Sequence, residues 1–151
     1  MSSKYVRDGI IAFINAELTS EKLIDLTADY SEMGDLLENN GLSPREPWLG
    51  LQFVGSEEIP VDVGAINTRG KYREIGVIYL HVVDVAKLNV HNSIIARAEA
   101  VRNAFRGMRI ADTILIEGVS PVNFGGGATL SFTGGYTAGL IQIDYRRDLD
   151  L

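Results

Sequence analysis

The stretch Tyr72-Arg73-Glu74-Ile75-Gly76-Val77-Ile78-Tyr79-Leu80-His81-Val82-Val83-Asp84-Val85 decides the fold. It is rich in β-branched and aromatic residues, and from Val77 to Val83 both alternating faces are apolar. A strand with one wet face would alternate apolar with polar side chains. This pattern therefore predicts a central strand whose two faces are both at least partly covered. Upstream, Leu49, Leu51 and Phe53 alternate with Gly50 and Gln52, which predicts a strand of about six residues opening at Trp48. Val61, Val63 and Ala65 alternate next, and Asn67 to Gly70 supplies turn chemistry. A hairpin through 67–70 is expected to pair the long strand with its predecessor.

Beyond the long strand the period changes. Val90, Ile94, Ala98, Val101 and Phe105 recur at steps of four, four, three and four, which predicts an amphipathic helix. Asn89 is its expected cap and Gly107 its stop, with Arg102, Arg106 and Arg109 near the negative end of the dipole. Val6, Ile10, Phe13, Ile14 and Leu18 predict a second helix at the N-terminus, capped by Ser2 or Ser3. Between 19 and 40, Ser20 is available to cap an optional short helix with Leu23, Ile24, Leu36 and Leu37 inward. Asn39-Asn40-Gly41, then Pro44 and Pro47, stop any such helix. Ile114 to Val119, Ala128 to Phe132 and Ala138 to Tyr145 read as strands, with glycine-rich loops at Gly125-Gly126-Gly127 and Gly134-Gly135. The expected fold is a single α+β domain, mainly antiparallel or mixed sheet with two or three helices on one face.

Length and composition agree with one domain over 1–151. A chain of this size buries roughly 70% of its unfolded surface, so a sizeable core needs no covalent staples. The absence of cysteine rules out disulfides, thiolate metal sites and a cysteine nucleophile, and it fits a reducing compartment. No apolar run approaches the ~20 residues of a membrane span, and MSSKYVRDG lacks the apolar core of a secretory signal. A soluble, intracellularly made domain is expected. Its formal net charge of −6 resides in residues 17–46, where eight acids face Lys22 and Arg45; elsewhere twelve acids balance twelve bases. Such a segment repels a phosphate backbone, which argues against general nucleic-acid binding. A solvated face accounts for it; an acidic surface toward a basic partner, or toward DNA that must slide past, is the alternative.

Catalytic signatures are sparse. His81 sits among apolar residues as a structural histidine, and His91 lies in the first turn of a helix, where it is expected to be neutral and exposed. No zinc or calcium ligand spacing and no nucleophile elbow occurs. Asp148 and Asp150 fall in the last residues, which commonly fray. The glycine triplet leads into a strand instead of a helix N-terminus, so it does not build a phosphate loop. No catalytic, cofactor-binding or metal-ligating residue is assigned, and no enzymatic activity is expected. Two basic groups remain: Arg69, Lys71 and Arg73 alternate along one strand face, while Arg102, Arg106 and Arg109 follow helical spacing. Solvent exposure and dipole placement explain both groups. Alternatively, one of them meets the 17–46 segment of a neighbouring copy, head to tail, in a ring.

In the second part, Pro47-Trp48 opens a strand and a turn leads to the long strand. A helix then closes with Phe105-Arg106-Gly107-Met108-Arg109-Ile110, and the last strand ends in Ile143-Asp144-Tyr145-Arg146. This order, over residues 47–147, resembles the tail terminator (tail completion) proteins of long-tailed bacteriophages, including the lambda-like ones. The resemblance implies a non-enzymatic virion subunit, assembled in the host cytoplasm as a hexameric ring on the head-proximal end of the tail. Such a ring stops tube growth and offers a docking surface to the head connector. Its implied partners are further copies of itself, the tail tube protein and the connector, with genomic DNA passing through without specific binding. Interface candidates are Arg69, Lys71, Arg73, Arg102 and Arg106, with the loops at Gly125, Gly126, Gly127, Gly134 and Gly135. Those loops, with 67–71, are expected to be mobile in the isolated subunit. The Gly125–Gly135 stretch is longer than is usual in that family, and 17–46 matches none of its motifs. A head–tail joining protein or a tube subunit is the nearest alternative, and a small ligand-binding domain or enzyme a more distant one.

Overall fold

The computed structural model describes residues 3–26, 40–42, 46–60, 71–124 and 136–150, with backbone alone at 60, 71, 149 and 150. Among these residues there are two helices, α1 (Lys4–Glu17) and α2 (Val90–Phe105). Six strands accompany them: β1 (Leu23–Asp25), β2 (Trp48–Pro60), β3 (Lys71–Val85), β4 (Arg109–Ile110), β5 (Ile114–Val119) and β6 (Tyr136–Asp150). They form one mixed sheet in the order β1-β2-β3-β6-β5-β4. β1 runs parallel to β2, and every other neighbouring pair is antiparallel. The chain is a single α+β domain, mostly sheet.

β3 is central, as its two apolar faces predict. It pairs with β2 from Trp48↔Val83 to Pro60↔Tyr72, and with β6 along its whole length. Ile78, Leu80 and Val82 point toward the helices and meet Val6, Ile10 and Ile14 of α1 and Ile94, Ala98, Val101 and Phe105 of α2. Each fully buried aliphatic side chain of this kind contributes about 1.5–3 kcal/mol. On the other face Val83 packs with Trp48, Ile24 and Leu42. The cover on that second face therefore lies at the Trp48 end of the strand.

Several expectations are corrected. Leu23 and Ile24 do not lie on a helix; they belong to β1, a three-residue strand held by the Leu23↔Leu49 and Ile24↔Gly50 register. Three residues are too few for a period to be read, and a parallel partner 26 positions away leaves no local signal. β2 runs far beyond six residues because a bulge between Phe53 and Gly55 lets it continue in register with β3. Asn89 is the N-cap residue of α2, as expected, but at φ 61° its side chain makes no capping hydrogen bond. Instead Asp84 holds that turn, accepting from the Val85 amide at 2.7 Å and from Ser93 Oγ at 3.2 Å. The last residues, expected to fray, are paired: β6 reaches Asp150, opposite Lys71. The expected strand at Val61, Val63 and Ala65, the 67–70 turn, the 128–132 strand, Leu36 and Leu37 lie outside the described residues.

α1 is fixed at its start by a buried carboxylate. Ser3 Oγ accepts from the Val6 amide and donates to Glu74 Oε2, each at 3.4 Å, while Tyr145 Oη donates to the same oxygen at 3.1 Å. Glu74 is only 2% exposed and sits where the helix dipole favours negative charge.

Candidate functional site

α1 and α2 cover one face of the sheet, and beyond the Trp48 cluster the other face carries a groove. The bulge in β2 at Phe53/Gly55 and a second one in β5 at Ile116/Gly118 fall at the same level. The cross-strand row reads Gly55, Val77, Asp144, Gly118. With a glycine at each end and a bulge beside each glycine, the row is low and the neighbouring side chains stand above it. The groove has a volume of about 520 Å³, and Glu57, Glu117 and Asp144 line it. Glu117 Oε1 pairs with Arg146 Nε at 3.3 Å, and Asp144 Oδ1 accepts from Gln142 Nε2 at 3.1 Å. With three carboxylates around it, the groove suits cationic or hydrogen-bond-donating groups, not anions.

Next to the groove the arginines gather. Arg73 donates from Nε to Asp148 Oδ1 at 2.7 Å. That hydrogen bond, with the charges of Asp148 and Glu117, holds the guanidinium above its ordinary pKa. Arg146 is opposite Leu115, and Leu115 is opposite Arg109, so Arg73, Arg109 and Arg146 share the face opposite α1 and α2. A smaller pocket of about 130 Å³ is lined by Arg109, Arg146 and Asp148. Members of the two basic groups, Arg73 and Arg109, thus converge although 36 residues separate them. Arg102 does not join them: it is 17% exposed and pairs with Glu99 Oε1 at 3.0 Å within α2. Arg106 is exposed at the C-cap of α2. Lys71 contributes backbone pairing to β6. Arg69, Gly125, Gly126, Gly127, Gly134 and Gly135, and with them the two loops expected to be mobile, lie outside the described residues.

Three acids of the 17–46 segment are neutralised inside the molecule. Glu21 pairs with Arg97, Asp25 with Arg7 at 3.1 Å, and Glu46 with Lys22 at 2.9 Å. Glu17 is exposed at the end of α1, and Asp29, Glu32, Asp35 and Glu38 lie outside the described residues. Where it is described, the segment is mainly a set of internal ties.

His81 is 1% exposed, with Nε2 3.1 Å from Gln52 Oε1, and burial pushes its pKa down to about 4. It is the neutral structural histidine that its neighbours predict. His91 is exposed and stacks on Phe124, with ring centroids 4.3 Å apart, a contact across 33 residues that no spacing rule reveals. Among the described residues no three His, Asp or Glu side chains group to hold a metal, and no helix is long and apolar enough to cross a membrane. No motif in the sequence marks the groove as a site. Its signal was present as Gly55 and Gly118 inside strand patterns, where an isolated glycine marks a bulge. The chain matches no protein-family model and no curated protein.

Proposed function

We propose that this chain is a structural subunit of a long-tailed phage, a tail terminator that forms a ring on the head-proximal end of the tail tube. In that role it halts tube growth and offers the head connector a docking surface, without catalysing a reaction. The observation that carries the proposal is the build of Phe105-Arg106-Gly107-Met108-Arg109-Ile110, with the Pro47-Trp48 strand start one of the two most specific pieces of the resemblance. Phe105 and Ile110 are buried in the core, while Arg106, Met108 and Arg109 are exposed between them. Gly107, at φ 69°, takes the turn that an L-residue resists, and the Met108 amide closes it on the Phe105 carbonyl at 3.1 Å. The motif is thus a corner anchored at both ends that presents two arginines and a methionine outward. That build serves contact with another macromolecule, because arginine and methionine are enriched where protein surfaces meet.

The sheet face opposite α1 and α2 fits the same role. A sheet covered by helices on one side presents its other side as a broad platform, and the groove and arginines give that platform a definite charge pattern. A head–tail joining protein or a tube subunit would use a similar platform. The experiment that separates them adds purified chain to tube protein as it polymerises. A terminator shortens and caps the tubes, a tube subunit incorporates along them, and a joining protein leaves their length unchanged.

A further inference from the structure

We propose that the sheet face opposite α1 and α2 holds a trough for an extended segment of a partner protein, one that carries a basic residue and, about four positions along, an apolar one. This inference rests on the reading of the chain as an assembly subunit and names the chemistry of what it meets. The groove at Val77 and Asp144 has a neighbour on the same face. That second cavity has a volume of about 430 Å³, and Tyr79, Pro121, Val122, Leu140 and Gln142 are among its lining residues. Register sets the two in line: Val77 is opposite Asp144 and Tyr79 is opposite Gln142, and residues two apart on a strand share a face. The hydrogen bond from Gln142 Nε2 to Asp144 Oδ1 joins a residue of one cavity to a residue of the other.

Charge complementarity selects the occupant. Around the groove Glu57, Glu117 and Asp144 set three carboxylates against one guanidinium, that of Arg146, which pairs with Glu117. Among the described residues Glu57 and Asp144 meet no cation. Between them Ile75 and Val77 form an apolar floor, half-buried although they stand on the central strand. A lysine or arginine fits such a place, its stem on the floor and its charged head on the carboxylates. The residues lining the second cavity carry no charge, and its apolar walls suit an apolar side chain. The groove lies at the level of Ile75 to Val77, and the second cavity at the level of Tyr79 to His81, where Leu140 pairs. The two are therefore about four residues, or roughly 13 Å, apart along the strands. Side chains four apart in an extended chain point the same way, so one strand-like segment fills both cavities at once. A helix advances only about 6 Å over four residues and falls short. A phosphate backbone would be repelled by the carboxylates.

The test selects a random peptide library on the wild-type chain and, in parallel, on Gly118→Leu, with circular dichroism confirming that each variant is folded. A Cβ at Gly118 lies 3.5 Å from Asp144 Oδ2, so the added side chain fills the groove. Peptides with a lysine or arginine four positions from an apolar residue are expected to enrich on the wild type and to be lost on the variant. The best of them, titrated by NMR, is expected to shift the amides of Val77 and Asp144. It is expected to bind the double variant Glu57→Gln with Asp144→Asn on the order of tenfold more weakly. Moving its apolar residue by one position turns that side chain away from the second cavity and is expected to cost roughly tenfold. Peptides that are acidic, that lack the spacing or that bind the filled groove equally well overturn the proposal, as does a library with no enrichment. Wild-type oligomers that dissociate in Gly118→Leu assign the trough to a second copy and overturn a foreign occupant. Tube capping that survives Gly118→Leu overturns the trough as an assembly contact and leaves the terminator reading in place. The expected peptides, selected by a chain that does not cap tubes, overturn that reading and leave the trough.

Discussion

Arg97 and Glu21, 76 positions apart, form a two-pronged ion pair: Nε reaches Oε1 at 2.9 Å and Nη2 reaches Oε2 at 2.7 Å. The same guanidinium donates to the carbonyls of Val83 at 2.9 Å and Trp48 at 3.2 Å. One side chain of α2 thus fastens the ends of β2 and β3 and the turn leading to β1. Both partners are largely shielded, at 17% and 13% exposed. Removing one strands the other in a poorly solvated place.

Arg97→Ala is therefore expected to lower unfolding stability by about 2–4 kcal/mol. Arg97→Lys keeps the charge but loses the fork, so it falls in between. Urea unfolding followed by Trp48 fluorescence reads both. An alanine variant within experimental error of the wild type would show that the pair is incidental.

Gly76 carries a second constraint. A Cβ placed there would lie 2.5 Å from Tyr145 Oη and 2.6 Å from its Cζ, and that hydroxyl donates to buried Glu74. Gly76→Ala must displace the ring and weaken that bond, at a cost of about 2–3 kcal/mol. Gly55→Ala meets nothing within 4 Å and is expected to be mild. Thermal melts of the two variants side by side check the contrast.

His81 sets an acid limit. Its folded pKa is about 4, against an ordinary value of 6.5, so between those values the unfolded chain binds the proton and the folded chain does not. Stability therefore falls as pH drops from 6.5 toward 4, by up to about 3 kcal/mol from this group. His81→Leu removes that contribution. Its stability relative to wild type is expected to rise steadily across the window, and parallel pH profiles would refute the assignment.

The elements legible in the sequence are those whose pattern is long and repetitive. Val90, Ile94, Ala98, Val101 and Phe105 gave α2 within a residue of its ends, and all five are buried. β3 could be placed at the centre because Val77 to Val83 leaves no polar face. What escaped were short elements and long-range partners. β1 and β4 have three and two residues, below any period. Arg73 and Asp148 each stand out in the sequence, but their pairing depends on the β3–β6 register, which joins residues 75 positions apart. The groove was hidden for a similar reason. Gly55 and Gly118 mark bulges singly, and only the folded sheet aligns them in one row.

The proposal that this chain caps a growing tail tube is tested most directly by placing an early stop codon in its gene in the proposed parent phage. Tail lengths are then measured by electron microscopy. Capping predicts abnormally long, headless tubes, with normal length restored when the chain is supplied from a plasmid. Tails of normal length lying apart from filled heads, or normal infectious particles, would contradict it.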